Sequence, residues 1–590
     1  MLEIDIAIID SGINNNLVSN GKTILKYGEC FDEVGHGTVV ANLICRTRAD
    51  ARIHIFKVNN NFADISEKEV IETLEYIDKN INNCKLINIS LGIEMISENQ
   101  RLKDICKKLY EKNVIIVAAY NNFGKMSFPA AYDTVLGVDI SPNIMKKSEF
   151  EYIEKSEINI RGFGGLLKVK WIEMPYIFVQ GTSFLTAVVT QYLSELIDNK
   201  ESCIEEIMTK FKNSYIIKTL NENHYLNHVS MSAKIKKAIV FPVNKETENL
   251  IYYYRDLDFE IEGIYDSKYS GNINRCVDDV IGRETSIKTK IKNIENVDWN
   301  GDFDSIIIGH TKELERISNK DYKMILLKNA YKYGKRVICF DDIDTEFDDL
   351  EIICPEKYSS NNNRWQRFGK LWDIPIPVVS IFGTSSQQGK FNLQMQLRKR
   401  FMLKGYRVGQ LGSEPSSLLY GFDECFHFGY GSNCMLSGGE IVQVVNQKLK
   451  NILEKQVDII ITGCQSGTIP QSYCNVQNFT TSQIDFLLGC LPDAVLLVIN
   501  PFDDIDYIYR TIMTIENIVN TRVVGLVIYP IMKKIDAVGK VKKQKLEEED
   551  FLEFKNSLRE KVGNIPVYNL FLDDQLDMMC EDLINYLSEQ

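Results

Sequence analysis

The feature that most constrains this chain is a recurrence. Short, continuous apolar runs rich in Ile, Val, Leu and Ala end in glycine or a small polar residue and then give way to helix-like stretches. The runs are apolar at nearly every position rather than at every second one, so both faces of each strand must be covered. That pattern belongs to parallel sheets flanked by helices. Glu3 to Ile9, KLINISLG (Lys85 to Gly92), NVIIVAAYNNFG (Asn113 to Gly124) and FPAAYDTVLGVDI (Phe128 to Ile140) make a first set. From Ala238 the pattern restarts with KKAIVFPVNKE, FEIEGIYDSK, DSIIIGH and KRVICFDDID. A third set begins with Pro375 to Phe382 and continues through YRVGQLGSEPSS, VDIIITGCQSG, DAVLLVINPFDD, RVVGLVIYP and IPVYNLF. The fold class is therefore α/β throughout, and 590 residues are too many for one domain. The expected division is 1–200, a connector over 201–235, a small Rossmann-like α/β domain over 236–350, and a third α/β domain over 375–590.

Composition excludes some functions. A net charge of −13 argues against a nucleic-acid-binding surface, which should be basic. No apolar run reaches the roughly 18 residues needed to span a bilayer, so no membrane partner is expected. MLEIDIAIIDSGI has no basic segment and no long apolar core of a secretory signal. The 14 cysteines are scattered, without CxxC pairs or metal-ligand spacing. Free buried thiols, no bound metal and a cytoplasmic location are the expectation.

The polar strand ends of the first 200 residues carry the chemistry. Asp10-Ser11-Gly12 ends the first strand, which is where α/β folds put functional carboxylates. Gly35-His36-Gly37-Thr38 leads into an apolar helix, and its glycines leave the imidazole accessible. Ala118-Ala119-Tyr120-Asn121-Asn122 supplies a side-chain amide that can donate to a developing oxyanion. Gly181-Thr182-Ser183 opens another apolar helix, above unpaired N–H groups and a partial positive charge. The bland alternatives are a turn-forming Asp10 and a capping Ser183. Together, however, the parts answer one chemical need. A serine hydroxyl is a poor nucleophile and needs a base near neutrality; the base needs a carboxylate, and the oxyanion needs donors already in place.

In this order, DSG, GHGT, NISLG, AAYNN, FPAAY and GTS resemble the signature of the subtilisin-like serine peptidases over residues 1–200. The resemblance implies that Asp10 orients the imidazole, His36 is general base and then acid, and Ser183 is the nucleophile. Asn121 matches the oxyanion residue, and the adjacent Asn122 leaves that register open. Ser90, Leu91 and Gly92 match the segment beside the substrate backbone. Tyr120 stands where the family has Gly, and Ala187 where it has Pro. These departures fit a divergent peptidase of narrow range.

In the second set of strands, Asp266, His310 and Asp341 sit at strand ends, where turn-forming roles are the favoured reading. In the third, Gly383-Thr384-Ser385-Ser386-Gln387-Gln388-Gly389-Lys390 lies between a strand and a helix, as phosphate-cradling loops do. Gly383, Thr384 and Gly389 would shape the cradle, and Lys390 would reach the terminal phosphates of ATP or GTP. The loop resembles that of the dethiobiotin synthetase-like NTPases, which makes 375–590 a P-loop NTPase-like domain. Those enzymes have Thr or Ser after the lysine to bind Mg²⁺; here it is Phe391. KKAIVFPVNKE, FGTSSQQGKF, LGSEPSS and ITGCQSG resemble clostridial-type peptide maturation system proteins. That resemblance implies a peptidase fused to a maturation factor. Its substrate would be a ribosomally made precursor peptide, and its partners other maturation enzymes. Two alternatives stand beside this: a nucleotide-binding maturation enzyme or scaffold whose peptidase domain mainly binds peptide, and a general intracellular peptidase.

Overall fold

A computed structural model describes the chain except residues 1–3, 15–17, 19–22, 47–50, 59–65, 91–92, 95–98, 123–126, 142–143, 155–158, 172–173, 199–200, 222–234, 283, 344–349, 355–370, 430, 433, 475–479, 502, 536–540 and 590. It divides into two compact units, Met1–Asn227 with Arg364–Asp373, and His228–Asn363 with Ile374–Gln590. Among the described residues no helix is long and apolar enough to cross a membrane.

The first unit is built on one sheet. Its strands lie in the order Ile216–Asn221, Phe150–Glu154, Ile160–Phe163, Leu136–Ser141, Ile115–Ala119, Cys84–Ile89, Ile4–Asp10, Ala51–Lys57, Ile24–Tyr27. From Ile160–Phe163 to Ile24–Tyr27 all neighbours are parallel. Ile4–Asp10 is buried along its whole length. Its side chains alternate between faces. Ile4, Ile6 and Ile8 enter a core shared with the helices His36–Ile44 and Thr182–Glu195. Ala7 and Ile9 enter the opposite core, shared with Glu67–Asn80 and Gln100–Glu111. The helix Ile204–Tyr215 and the edge strand Ile216–Asn221 fall in the stretch that reads as a connector. An edge strand with polar residues carries no buried-strand signature, which is why its sequence, IIKTLN, reads as linker.

The second unit holds two main sheets. One has the order Lys292–Asn293, Glu260–Asp266, Lys237–Phe241, Ser305–Ile308, Arg336–Cys339, Ile352–Ile353, all parallel. The other runs Glu424–Cys425, Val408–Gly412, Ile459–Gly463, Val378–Gly383, Ala494–Ile499, Arg522–Ile528, Val567–Asn569, again all parallel. The stretches that read as two separate domains share one core. Val240, Ile264, Ile338 and Phe340 pack in the same cluster as Phe391, Leu418, Tyr420 and Phe422.

Candidate active site

Asp10 closes its strand and is fully buried. Its Oδ1 accepts from Nδ1 of His36 at 2.7 Å and from the Ser11 N–H at 2.7 Å. Glycines permit this approach. A Cβ on Gly37 would lie 2.4 Å from the Gly12 carbonyl oxygen, and Gly35, at φ +85°, would drive one to 2.7 Å from the Trp171 ring. Sequence reasoning missed Asp32. Its Oδ1 accepts from Ser11 Oγ at 2.8 Å and from the Gly35 N–H at 2.7 Å, and its Oδ2 accepts from the Thr38 N–H at 2.7 Å. Ser11 Oγ in turn accepts from the Gly37 N–H at 2.9 Å. One buried carboxylate thus ties the aspartate turn to the histidine turn. An acidic residue just ahead of a helix start was the available signal. Burial opposes charge on His36, but the Asp10 charge and hydrogen bond, helped by Asp32, hold its pKa above the ordinary imidazole value.

Ser183 is the second residue of the helix Thr182–Glu195 and is half-buried. The N-cap is Gly181, at φ +132°, with no side-chain capping bond, so capping is not the role of the Ser183 hydroxyl. The next residue, Phe184, lays its ring against His36 with centroids 5.1 Å apart, bringing the helix start to the imidazole. Ser90 Oγ lies within donating distance of the Ser183 carbonyl oxygen (3.0 Å) and of Asn88 Oδ1 (2.8 Å). Asn88 Nδ2 donates to Thr190 Oγ1 at 2.9 Å, so the helix is also pinned to the strand Cys84–Ile89.

The loop after Ile115–Ala119 brings both asparagines to this end of the sheet. The Asn121 N–H donates to Ser127 Oγ at 2.8 Å. Asn122 Oδ1 accepts from the Thr182 N–H at 3.1 Å, and a Cβ on Gly181 would stand 3.6 Å from Asn122 Nδ2. Asn122, the neighbour that left the register open, therefore contacts the turn that bears Ser183. Ser90 is buried beside it, while Leu91 and Gly92 lie outside the described residues.

In the second unit, the loop Gly383 to Lys390 runs from the strand Val378–Gly383 to the helix Lys390–Leu403. Gly389 takes φ +78° at the helix N-cap. Lys390 Nζ donates to the carbonyls of Ser385 at 2.6 Å and Ser466 at 2.9 Å. Gln388 lies inside the loop. Its Oε1 accepts from the Ser385 N–H at 2.9 Å, and its Nε2 donates to Thr384 Oγ1 at 2.6 Å. Thr384 Oγ1 donates to Asp503 Oδ2 at 2.5 Å. Phe391 is buried against Tyr253, Tyr420 and Phe422, so its position serves packing between the two sheets. A cleft at the loop mouth is lined by Lys245, Gln388, Lys390, Glu414, Gln465 and Ser466, among others. Burial and the nearby Glu246 charge push Glu414 up to about 7, against Lys245, Asn249 and Lys390.

Of the three strand-end residues in 236–350, Asp266 behaves as a turn residue, accepting from the Ser267 N–H at 2.7 Å and Asn272 Nδ2 at 2.9 Å. His310 and Asp341 do not. Nδ1 of His310 is 2.8 Å from Asp341 Oδ1, and its Nε2 is 2.9 Å from Glu246 Oε2. Burial opposes charge on His310, yet the two carboxylates raise it to about 9.

Residues 3–228 match the family described as "Subtilase family". Residues 366–576 match one described as "Domain of unknown function (DUF1611_C) P-loop domain". The chain thus joins a segment that matches the subtilase family to a segment that matches a P-loop domain. The curated "Minor extracellular protease Epr" of Bacillus subtilis (strain 168) is 29% identical over 202 residues, which is 31% of this chain and 30% of that protein. The chain therefore spans under a third of that relative's length. Among solved structures, a DUF1611 family protein from Anabaena variabilis is 13% identical with a TM-score of 0.43, covering 60% of this chain and 100% of its own. The prenylagaramide maturation protease PagA is 21% identical with a TM-score of 0.29, covering 33% of this chain and 74% of its own.

Proposed function

We propose that the first unit is a serine endopeptidase acting through Asp10, His36 and Ser183. The observation that carries this is the buried 2.7 Å Asp10–His36 bond, with the helix start that bears Ser183 brought to the same imidazole through Phe184. Asp10 fixes the imidazole tautomer so that His36 Nε2 can take the Ser183 proton. Ser183 Oγ attacks the scissile carbonyl. The oxyanion is met by N–H groups of the helix start and by an asparagine amide, from Asn121 or Asn122. His36 returns its proton to the leaving amine, and water then hydrolyses the acyl-enzyme. The test is labelling with a fluorophosphonate probe, locating the modified residue by mass spectrometry. Labelling at Ser183 that vanishes in His36→Ala supports the triad; well-folded protein that takes no label at Ser183 overturns it.

The substrate we propose is the leader region of a ribosomally made precursor peptide, cut in the cytoplasm. Fusion to a P-loop domain with the sequence marks of peptide maturation proteins supports this reading. Cleavage confined to one precursor is expected, whereas broad degradation of casein would favour a general peptidase.

A second reading concerns the second unit. The Lys390 ammonium, the glycine turn and the cleft at the loop mouth favour a phosphate-bearing ligand, ATP or GTP. Gln388 would have to leave the Ser385 N–H for a phosphate to replace it. With Phe391 in the packing core, the ordinary Mg²⁺ hydroxyl is absent. Binding without rapid hydrolysis is the expected behaviour, measured by calorimetry with ATP and with GTP on wild type and Lys390→Ala. If retention of all maturation activity accompanied Ser183→Ala, this reading would displace the first.

A further inference from the structure

We propose that Glu246, His310 and His427 form a site for one first-row divalent transition ion of the zinc type. Glu246 follows the strand Lys237–Phe241, His310 follows Ser305–Ile308, and His427 follows Glu424–Cys425 of the other sheet in the same unit. All three are buried, and one ligand atom from each lies within 4.8 Å of the others. His310 Nε2 and Glu246 Oε2 are 2.9 Å apart. Adjacent ligands about 2.0–2.1 Å from a tetrahedral ion lie about 3.3–3.4 Å apart, so this pair needs to part by only about half an ångström to admit one.

The surroundings fit a metal site rather than an incidental cluster. Asp341 Oδ1 holds His310 Nδ1 at 2.8 Å, fixing the tautomer that presents Nε2, and the Thr311 N–H holds Asp341 Oδ2 at 2.9 Å. Such a carboxylate behind an imidazole is the usual support of a metal-bound histidine. The Ser416 N–H donates to Glu246 Oε1 at 3.1 Å, leaving Oε2 as the ligand atom. The His310 and His427 rings are near-parallel, with centroids 5.4 Å apart, and each offers a nitrogen within 4.8 Å of the other ligand atoms. Gly431, at φ +73°, lets the turn after His427 close on the site; a Cβ there would lie 2.5 Å from the His310 ring. Two neutral imidazoles, the carboxylates of Glu246 and Asp341, and a dication sum to zero charge, which suits a buried position. The donor set of two imidazoles and one carboxylate suits zinc or ferrous ions rather than calcium or magnesium.

Three protein ligands leave a coordination position open, as reactive sites do. The cleft at the phosphate-type loop adjoins. Gln465, part of its lining, packs against Gly429, two residues after His427, and Glu414 is two residues before Ser416. The site rests on no assumption about the peptidase. Its ligands come from positions separated by more than sixty residues, so no local spacing could have marked it.

The test uses untagged full-length protein stripped with a chelator and titrated with Zn²⁺ alone, then with Co²⁺ alone. One equivalent per chain is expected. The cobalt spectrum should show d–d bands without a thiolate charge-transfer band, which separates this site from the 14 cysteines. Asp341→Asn should weaken Zn²⁺ binding about 10–100-fold. His427→Ala should weaken it further, with circular dichroism confirming the fold. If His427→Ala does not fold, the wild-type cobalt spectrum decides. No stoichiometric uptake by wild type, a thiolate band, or uptake unchanged in both variants each overturns the proposal.

Discussion

Each unit holds a buried histidine against carboxylates near the ends of parallel strands, and the two are built for opposite ends. One carboxylate, Asp10, binds Nδ1 of His36. Two carboxylates, Asp341 and Glu246, bind both ring nitrogens of His310. A base must give and take a proton at one nitrogen while the other is held. The His36 arrangement permits that. The His310 arrangement fixes a positive centre between two negative ones, either a proton-bearing ring, raised to about 9, or the ring with a metal ion. The number of carboxylates, more than the presence of a histidine, separates a proton shuttle from an anchor.

The largest effect that can break this comparison is in the first unit. Ser183→Ala and His36→Ala should each lower kcat by up to about 10⁶-fold, and the double variant should lose no more than either alone, because the residues act as a set. Asp10→Asn should cost about 10⁴-fold by misdirecting the tautomer. Peptide turnover per mole of folded protein, at matched concentration, measures all four variants.

Stability should show the reverse order. His310→Ala leaves Glu246 and Asp341 buried without their cation, a loss of about 3–5 kcal/mol in metal-free protein. His36→Ala should leave the second unit's urea transition in place. Equal urea midpoints for the two variants would contradict the distinction drawn between the histidines.

The asparagine pair sharpens the site further. Whichever amide meets the oxyanion should cost about 10²–10³ in kcat when changed to Ala, with little change in KM. The contact of Asn122 with Thr182 makes Asn122→Ala the larger expected loss.

The pH profile tests His36 alone. Its pKa is raised, so the protonated, inactive form persists to higher pH than an ordinary imidazole of about 6.5. Activity should therefore rise with pH along a limb centred above that value. A limb centred below 6.5 would contradict the Asp10 contact. The smallest expected effect is Lys390→Ala, which should leave probe labelling of Ser183 within twofold of wild type while removing nucleotide binding.

Much of this molecule is legible in its sequence. Continuous apolar strands can be buried only in covered parallel sheets, so the α/β class followed from hydrophobicity alone. Asp10, His36 and Ser183 stood out because each lies in a short glycine-bearing turn at an element boundary, a local feature written in adjacent residues. The Gly383 to Lys390 loop was visible for the same reason. Other features were not local. Asp32 acts by joining two turns, and Phe391 by packing between two sheets that the sequence divides into separate domains. His310 read as a turn residue because its partners at 246, 341 and 427 are scattered along the chain. Sequence by itself determined what each strand must bury and which turns carry reactive groups, since these depend on neighbours a few residues away. Tertiary structure alone decided strand order, the shared core of the second unit, and which carboxylates face each imidazole. Hydrogen bonds and charges act over a few ångströms of space, and only the folded chain brings those distant residues within reach.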